Sequence, residues 1–124
     1  MSDDHKTPDW IKMMFEEWFD PCPLNPTFDG LKIPWQDRTF ANVPYSRKKK
    51  DKAGVIDWVK KAIDESRQGK RIALLVRHDH TTDWFAQLYL AGAHFLPIME
   101  RVKFTGNGSP PFLSTLVILE ASKA

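Results

Sequence analysis

A chain of 124 residues suffices for one domain and leaves little room for a second. Hydrophobic residues make up 42% and charged residues 27%, the balance of a soluble globular domain, which excludes neither an enzyme nor a binding module. With 18 basic against 16 acidic side chains the formal charge is +2, too small a surplus to point to a polyanion partner by itself.

In chain order, Thr7 and Pro8 predict a helix start, with Thr7 as N-cap and Pro8 at the first helical position. Ile11, Met14, Phe15 and Trp18 then repeat at helical spacing, so one face of this helix is expected on a core. Phe19 to Cys22 reads as the end of a short strand, and prolines at 21, 23 and 26 make residues 21–30 a shaped loop. Residues 38–41 are β-compatible and run into Asn42-Val43-Pro44-Tyr45. From Val55 a helix is expected, with Val55, Val59, Ala62 and Ile63 on one face and Gly69 as the stop. The continuous apolar run Ile72 to Val76 suits a strand buried on both faces of a mostly parallel sheet. Thr81 or Thr82 caps a further helix carrying Trp84, Phe85, Leu88 and Tyr89 and ending near Gly92, and residues 94–98 and 113–119 complete the set as strands. Strands alternating with helices argue for a three-layer α/β domain. In such sheets ligands bind beyond the carboxyl ends of the strands, which singles out the loops after residues 22, 42 and 76.

Asn42-Val43-Pro44-Tyr45, followed by Ser46, is the most informative segment. An exocyclic amine such as adenine N6 is a poor nucleophile because its lone pair is delocalised into the ring. A site that methylates it needs acceptors aimed at the two N–H groups, and the Asn42 side-chain oxygen and Val43 carbonyl are both acceptors. Pro44 stiffens the turn, and Tyr45 presents a ring on which a base turned out of the duplex can stack. The same residues also suit an ordinary strand-to-loop turn. Arg47, Lys48, Lys49, Lys50 and Lys52 form a basic cluster that suits either phosphate contact or a solvated loop.

Other groups carry less. His78, His80 and His94 can be imagined around zinc, but no firm fourth ligand accompanies them, and no metal is expected. Cys22, the single cysteine, excludes an internal disulfide and a four-thiolate metal site; it reads as a small buried thiol rather than a nucleophile. Trp58, Trp84, Phe85 and Phe95 sit at packing spacing and are read as core. Arg101, Lys103 and the Gly106-Asn107-Gly108 loop suit DNA contact or a solvated hairpin end. The start, Met1-Ser2-Asp3-Asp4-His5, lacks the basic and apolar regions of a signal peptide, and no apolar run approaches bilayer-spanning length, so a soluble, cytoplasmic protein with no membrane partner is expected.

Asn42-Val43-Pro44-Tyr45 resembles the Asn/Asp-Pro-Pro-Tyr motif of amino-methyltransferases, and the chain around it is similar to the phage-type (Dam-like) DNA N6-adenine methyltransferase family. The likeness runs through Thr7-Pro8, Phe19-Asp20-Pro21-Cys22, Asp29-Gly30-Leu31 with Trp35, and Trp58-Val59-Lys60-Lys61-Ala62. It continues through Asp83-Trp84-Phe85, Arg101-Val102-Lys103-Phe104 and Pro111-Phe112-Leu113-Ser114-Thr115-Leu116-Val117. The resemblance implies a truncated class I (Rossmann-like) S-adenosylmethionine-dependent methyltransferase, with a mostly parallel sheet flanked by helices. Residues 1–124 would form a single catalytic domain with no separate target-recognition domain. Asn42, Val43, Pro44 and Tyr45 would hold a flipped adenine of DNA. Thr7, Pro8, Asp20, Pro21, Asp29 and Leu31 would line the S-adenosylmethionine pocket, with Asp20 able to receive the cofactor's ammonium group. Ser46, Arg47, Lys48, Lys49, Lys50 and Lys52 would contact DNA.

Two departures from the family pattern stand out: Val43 replaces the usual first proline, and Cys22-Pro23-Leu24-Asn25-Pro26 stands where most methyltransferases have a Gly-rich turn. Alternatives at this stage are an amino-methyltransferase acting on cytosine N4, RNA or protein, and a non-catalytic nucleic-acid-binding module on the same fold. A homodimer is also possible. A phage or other mobile-element origin, host-cell cytoplasm and protection from restriction follow from the resemblance alone.

Overall fold

The computed structural model describes residues 9–23, 27–44, 53–79, 81–98 and 114–122. Its elements in chain order are α1 (Asp9–Met14), β1 (Arg38–Asn42), α2 (Val55–Arg67), β2 (Arg71–Arg77), α3 (Asp83–Leu90), β3 (His94–Pro97) and β4 (Ser114–Leu119).

The strands form one sheet in the order β1-β2-β4-β3. β1 pairs parallel with β2, while β4 pairs antiparallel with both β2 and β3. The expected mostly parallel sheet is therefore corrected to a mixed one. The cause is the return of β4 between β2 and β3. Because β2 and β3 both oppose β4, they share one direction, and a single reversed strand makes two of the three pairings antiparallel. On the other side of β1, Phe19 adds a single isolated parallel bridge to Thr39; of the strand end expected over Phe19 to Cys22, only this residue pairs, and Asp20 to Cys22 leave the sheet.

Ile72 to Val76 are buried on both faces, as a central strand requires. On one face Ile72, Leu74, Val76, Ala41 and Val43 pack against Val55, Val59 and Ala62 of α2 and Phe85 and Leu88 of α3. On the other, Phe40, Ala73, Leu75 and Leu116 pack against Ile11 of α1. Helices thus cover both faces of the sheet.

α2 follows the expected spacing, with Val55, Val59, Ala62 and Ile63 all buried. Its start is closed by the Asp57 carboxylate, which accepts the Gly54 N–H at 2.9 Å. Beyond its end Gly69 adopts φ 96°, a conformation open to glycine. Of the two threonines weighed as the α3 cap, Thr82 is the one used; its hydroxyl accepts the Phe85 N–H at 3.4 Å. α1 is shorter than its periodicity suggests: the helix stops at Met14, whose side chain is 56% exposed, while Phe15 and Trp18 reach the core from the turns that follow. Met14, the last helical residue, thus faces outward although its spacing puts it with Ile11.

Candidate functional site

Parallel alignment brings the ends of Phe19, β1 and β2 to one edge of the sheet, so Asp20-Pro21, Asn42-Val43-Pro44 and His78-Asp79 leave the sheet on the same side. This is the carboxyl edge, where an open α/β sheet receives its ligand.

Asn42 is the last residue of β1, opposite Leu75, and by strand alternation its side chain shares the face of Phe40 and α1. Val43 turns the other way and is 1% exposed within the core under α2 and α3. Its N–H donates to the Leu75 carbonyl at 3.1 Å, one rung beyond the strand. A proline, having no N–H, cannot make that bond. The departure at Val43 therefore fastens the motif from both sides, through backbone and side chain, while its carbonyl is retained. Pro44 follows half-buried at the edge. Tyr45 and the basic run Ser46, Arg47, Lys48, Lys49, Lys50 and Lys52 lie outside the described residues, as do Thr7 and Pro8.

The four remaining cofactor candidates meet through a glycine. Asp20 accepts the Cys22 N–H at 2.8 Å, and Asp29 accepts the Leu31 N–H at 3.0 Å, so each aspartate shapes its own turn. A Cβ on Gly30 would stand 1.9 Å from the Pro21 carbonyl oxygen and 3.0 Å from the Trp58 ring, so only glycine lets the two turns touch. Partial burial raises the Asp20 carboxyl above its ordinary value, against lowering by the Cys22 N–H and by Lys12 of α1, although the residue as a whole is exposed. Cys22 is half-buried against the core rather than fully enclosed.

Sequence reasoning did not find the group that holds the Asp29–Leu31 turn. Glu65, on the buried face of α2, is 3% exposed. It accepts the Trp35 backbone N–H at 3.1 Å and pairs with Lys61 at 2.9 Å and with Lys70. Burial would raise this carboxyl, but hydrogen bonds from Lys70, Lys61 and Trp35 overcome it and hold the group below its ordinary value. The available signal was a charged residue at position 65 in register with Trp58 and Ala62 on an otherwise apolar helix face. Ser114 was likewise missed as a separate feature. It is fully buried where β4 begins, opposite Arg77, and its hydroxyl has no hydrogen-bond partner among the described residues.

His78 is engaged by the Thr115 hydroxyl through Nδ1 and lies edge-on to Phe85, with centroids 5.4 Å apart. His94 stands level with Ala73 through its pairing to Ile118, roughly 16 Å along the strands from His78 at about 3.3 Å per residue, so the two cannot share an ion. His80 lies outside the described residues. Among the described residues no three His, Cys, Asp or Glu side chains come together as a metal site. A cleft of about 360 Å³ between α2 and α3, lined by Ile63, Arg67 and Leu90 among others, lies near the C-terminal ends of these helices, away from the carboxyl edge.

A family model described as DNA N-6-adenine-methyltransferase (Dam) matches residues 24–112. The matched span includes the Asp29–Leu31 turn, Trp35, the Asn42–Tyr45 motif and Glu65; Asp20 and Pro21 precede it. No curated protein and no solved structure matches the chain.

Proposed function

The chain belongs to the DNA N-6-adenine-methyltransferase (Dam) family, and from that membership we propose that it transfers a methyl group from S-adenosylmethionine to N6 of an adenine turned out of DNA. The observation that carries this reading is Asn42 at the carboxyl edge, with the next residue, Val43, fastened by backbone bond and buried side chain.

In this reading the Asn42 side-chain oxygen and the Val43 carbonyl accept the two N6 hydrogens. They draw the amine nitrogen toward tetrahedral geometry, so that its lone pair leaves the ring and points at the methyl carbon. Because Val43 is fastened before the base arrives, its carbonyl needs little reorganisation at the moment of reaction. Tyr45 supplies the stacking surface, and Ser46, Arg47, Lys48, Lys49, Lys50 and Lys52 hold DNA phosphates.

The residues beside the motif fit the cofactor in kind. S-adenosylmethionine, when bound, would supply a methyl group activated on a sulfonium sulfur: the N6–methyl bond forms as the methyl–sulfur bond breaks, S-adenosylhomocysteine leaves, and N6 gives up one proton to solvent. Asp20 offers a carboxylate to its ammonium group, and the Asp29–Leu31 turn, seated on Pro21, is the proposed seat of its adenosine end. Thr7 and Pro8 complete the proposed pocket. Among the described residues no helix is long and apolar enough to cross a membrane, and DNA in the cytoplasm is the proposed partner.

The test is transfer of labelled methyl from S-adenosylmethionine to unmethylated DNA, with nucleoside analysis of the product and Asn42→Ala in parallel. Label in N6-methyladenine, reduced at least about 100-fold in the variant, is the expected result. Label in cytosine, or equal transfer by Asn42→Ala, overturns it.

A further inference from the structure

We infer that Trp35, anchored by Glu65, is a positioning residue for the adenosine end of S-adenosylmethionine, an inference that rests on the cofactor reading above. The Asp29–Leu31 turn belongs to a stretch, residues 27–37, without helix or strand, so the regular sheet and helix ladders do not fix its place. Its position comes from side chains. The Trp35 indole N–H donates to the Gly30 carbonyl at 2.8 Å, and the Trp35 backbone N–H donates to Glu65 at 3.1 Å. Trp35 is 2% exposed and stacks on Trp58 with centroids 6.3 Å apart, while the Lys61 ammonium lies 6.0 Å from its ring centre.

Trp35 is thereby gripped by α2 from two directions, through Glu65 below and Trp58 beside it. α2 is a 13-residue helix packed on the sheet, a rigid support. The grip reaches the turn through the hydrogen bond to Gly30, the residue that meets the Pro21 carbonyl, with the Trp58 ring and the packing of Leu31 beside it. The Trp35 indole therefore supplies the directional bond that sets the register between the two halves of the proposed pocket, Asp20-Pro21 and Asp29–Leu31. A buried indole N–H must find an acceptor, and here it finds the carbonyl at the point where a small displacement separates those halves. The two Trp35 hydrogen bonds end at Glu65 and at the Gly30 carbonyl of the turn, so the effect is expected on cofactor binding rather than on the methyl-transfer step.

The experiment is calorimetric titration of S-adenosylhomocysteine into wild-type protein and Trp35→Phe, which keeps a ring in the core and removes the indole N–H. The variant is expected to bind about tenfold more weakly, the effect of losing one buried hydrogen bond. In steady-state methylation its KM for S-adenosylmethionine rises by about the same factor, while kcat at saturating cofactor stays within about twofold. Since a core substitution can cost folding, a second measurement uses the wild-type chain: the Trp35 indole N–H resonance is expected to shift on adding S-adenosylhomocysteine. Unchanged affinity in Trp35→Phe, or an indole resonance that stays put while the wild type binds, overturns the inference and leaves the cofactor reading intact. Failure of the wild type to bind S-adenosylhomocysteine overturns both.

Discussion

The Val43 N–H donates to the Leu75 carbonyl at 3.1 Å, carrying the β1–β2 ladder one residue past Asn42. The residue that departs from the family motif is thus tied into the sheet at the place where the usual proline would leave Leu75 without this donor. Val43→Pro, although it restores the family pattern, is expected to destabilise the protein by about 1–3 kcal/mol through the unpaired buried carbonyl and the lost core side chain. Urea unfolding of the two proteins measures this. A variant as stable as the wild type would show that the bond contributes nothing.

Glu65 is predicted to be a pH-sensitive support. Its folded-state carboxyl lies below the ordinary value of 4.5, so the stability it contributes is fully present above that value and is lost as pH falls through the lower folded value. Glu65→Ala, which removes the acceptor for Trp35, Lys61 and Lys70, is expected to cost about 1.5–3 kcal/mol at neutral pH. The gap between wild type and variant should close on acidification below 4.5. Denaturant midpoints at a series of pH values test the sign, and a gap that widens in acid would reverse it.

Much of this architecture was legible because burial writes itself into apolar spacing. The run Ile72 to Val76 and the stripe Val55, Val59, Ala62 and Ile63 each fill the core as their periods require. The loss of helix at Met14 was not legible, since the face pattern continues through Phe15 and Trp18 after the backbone has left the helix. The direction of β4 was not legible either: an apolar run reads the same in either direction, and its place beside β2 is set by tertiary pairing. At the site, Asn42 and Val43 stood out by motif. Glu65, Trp35 and Gly30 work through contacts spanning up to 30 positions along the chain, which no local pattern encodes.

Gly30 permits no side chain in this arrangement. Its Cβ would overlap a backbone oxygen, which cannot rotate away as a flexible side chain can. Gly30→Ala is therefore expected to push the Asp29–Leu31 turn from Pro21, lowering stability by about 1–3 kcal/mol and weakening S-adenosylhomocysteine binding. Thermal unfolding and calorimetry read the two effects. Wild-type values in both would show that the turn yields at no cost.

Ser114 buries a hydroxyl without a hydrogen-bond partner among the described residues, an arrangement that costs the fold its desolvation. Ser114→Ala removes the oxygen and little volume, so its melting temperature is expected to equal or exceed that of the wild type. A fall of several degrees would mean that the hydroxyl has a stabilising partner in solution.

Asp20 has the opposite sign to Glu65. Burial raises its carboxyl above 3.8 in the folded protein, so its contribution to stability is present below that value and is lost as pH rises through the folded one. Asp20 is exposed, so solvent screens much of this effect and its ionisation at neutral pH costs little, while the proposed contact with the cofactor's ammonium group requires the ionised form. Asp20→Asn keeps an oxygen for the Cys22 N–H and removes the charge. It is expected to be at least as stable as the wild type near neutral pH, yet to bind S-adenosylhomocysteine about tenfold more weakly, the loss of one charge-assisted contact. Wild-type affinity should also fall on acidification, at a pH above the ordinary aspartate value, and the variant should lack that dependence. Calorimetric titrations of both proteins between about pH 7 and pH 4 decide the matter: parallel pH profiles would remove Asp20 from the ammonium contact.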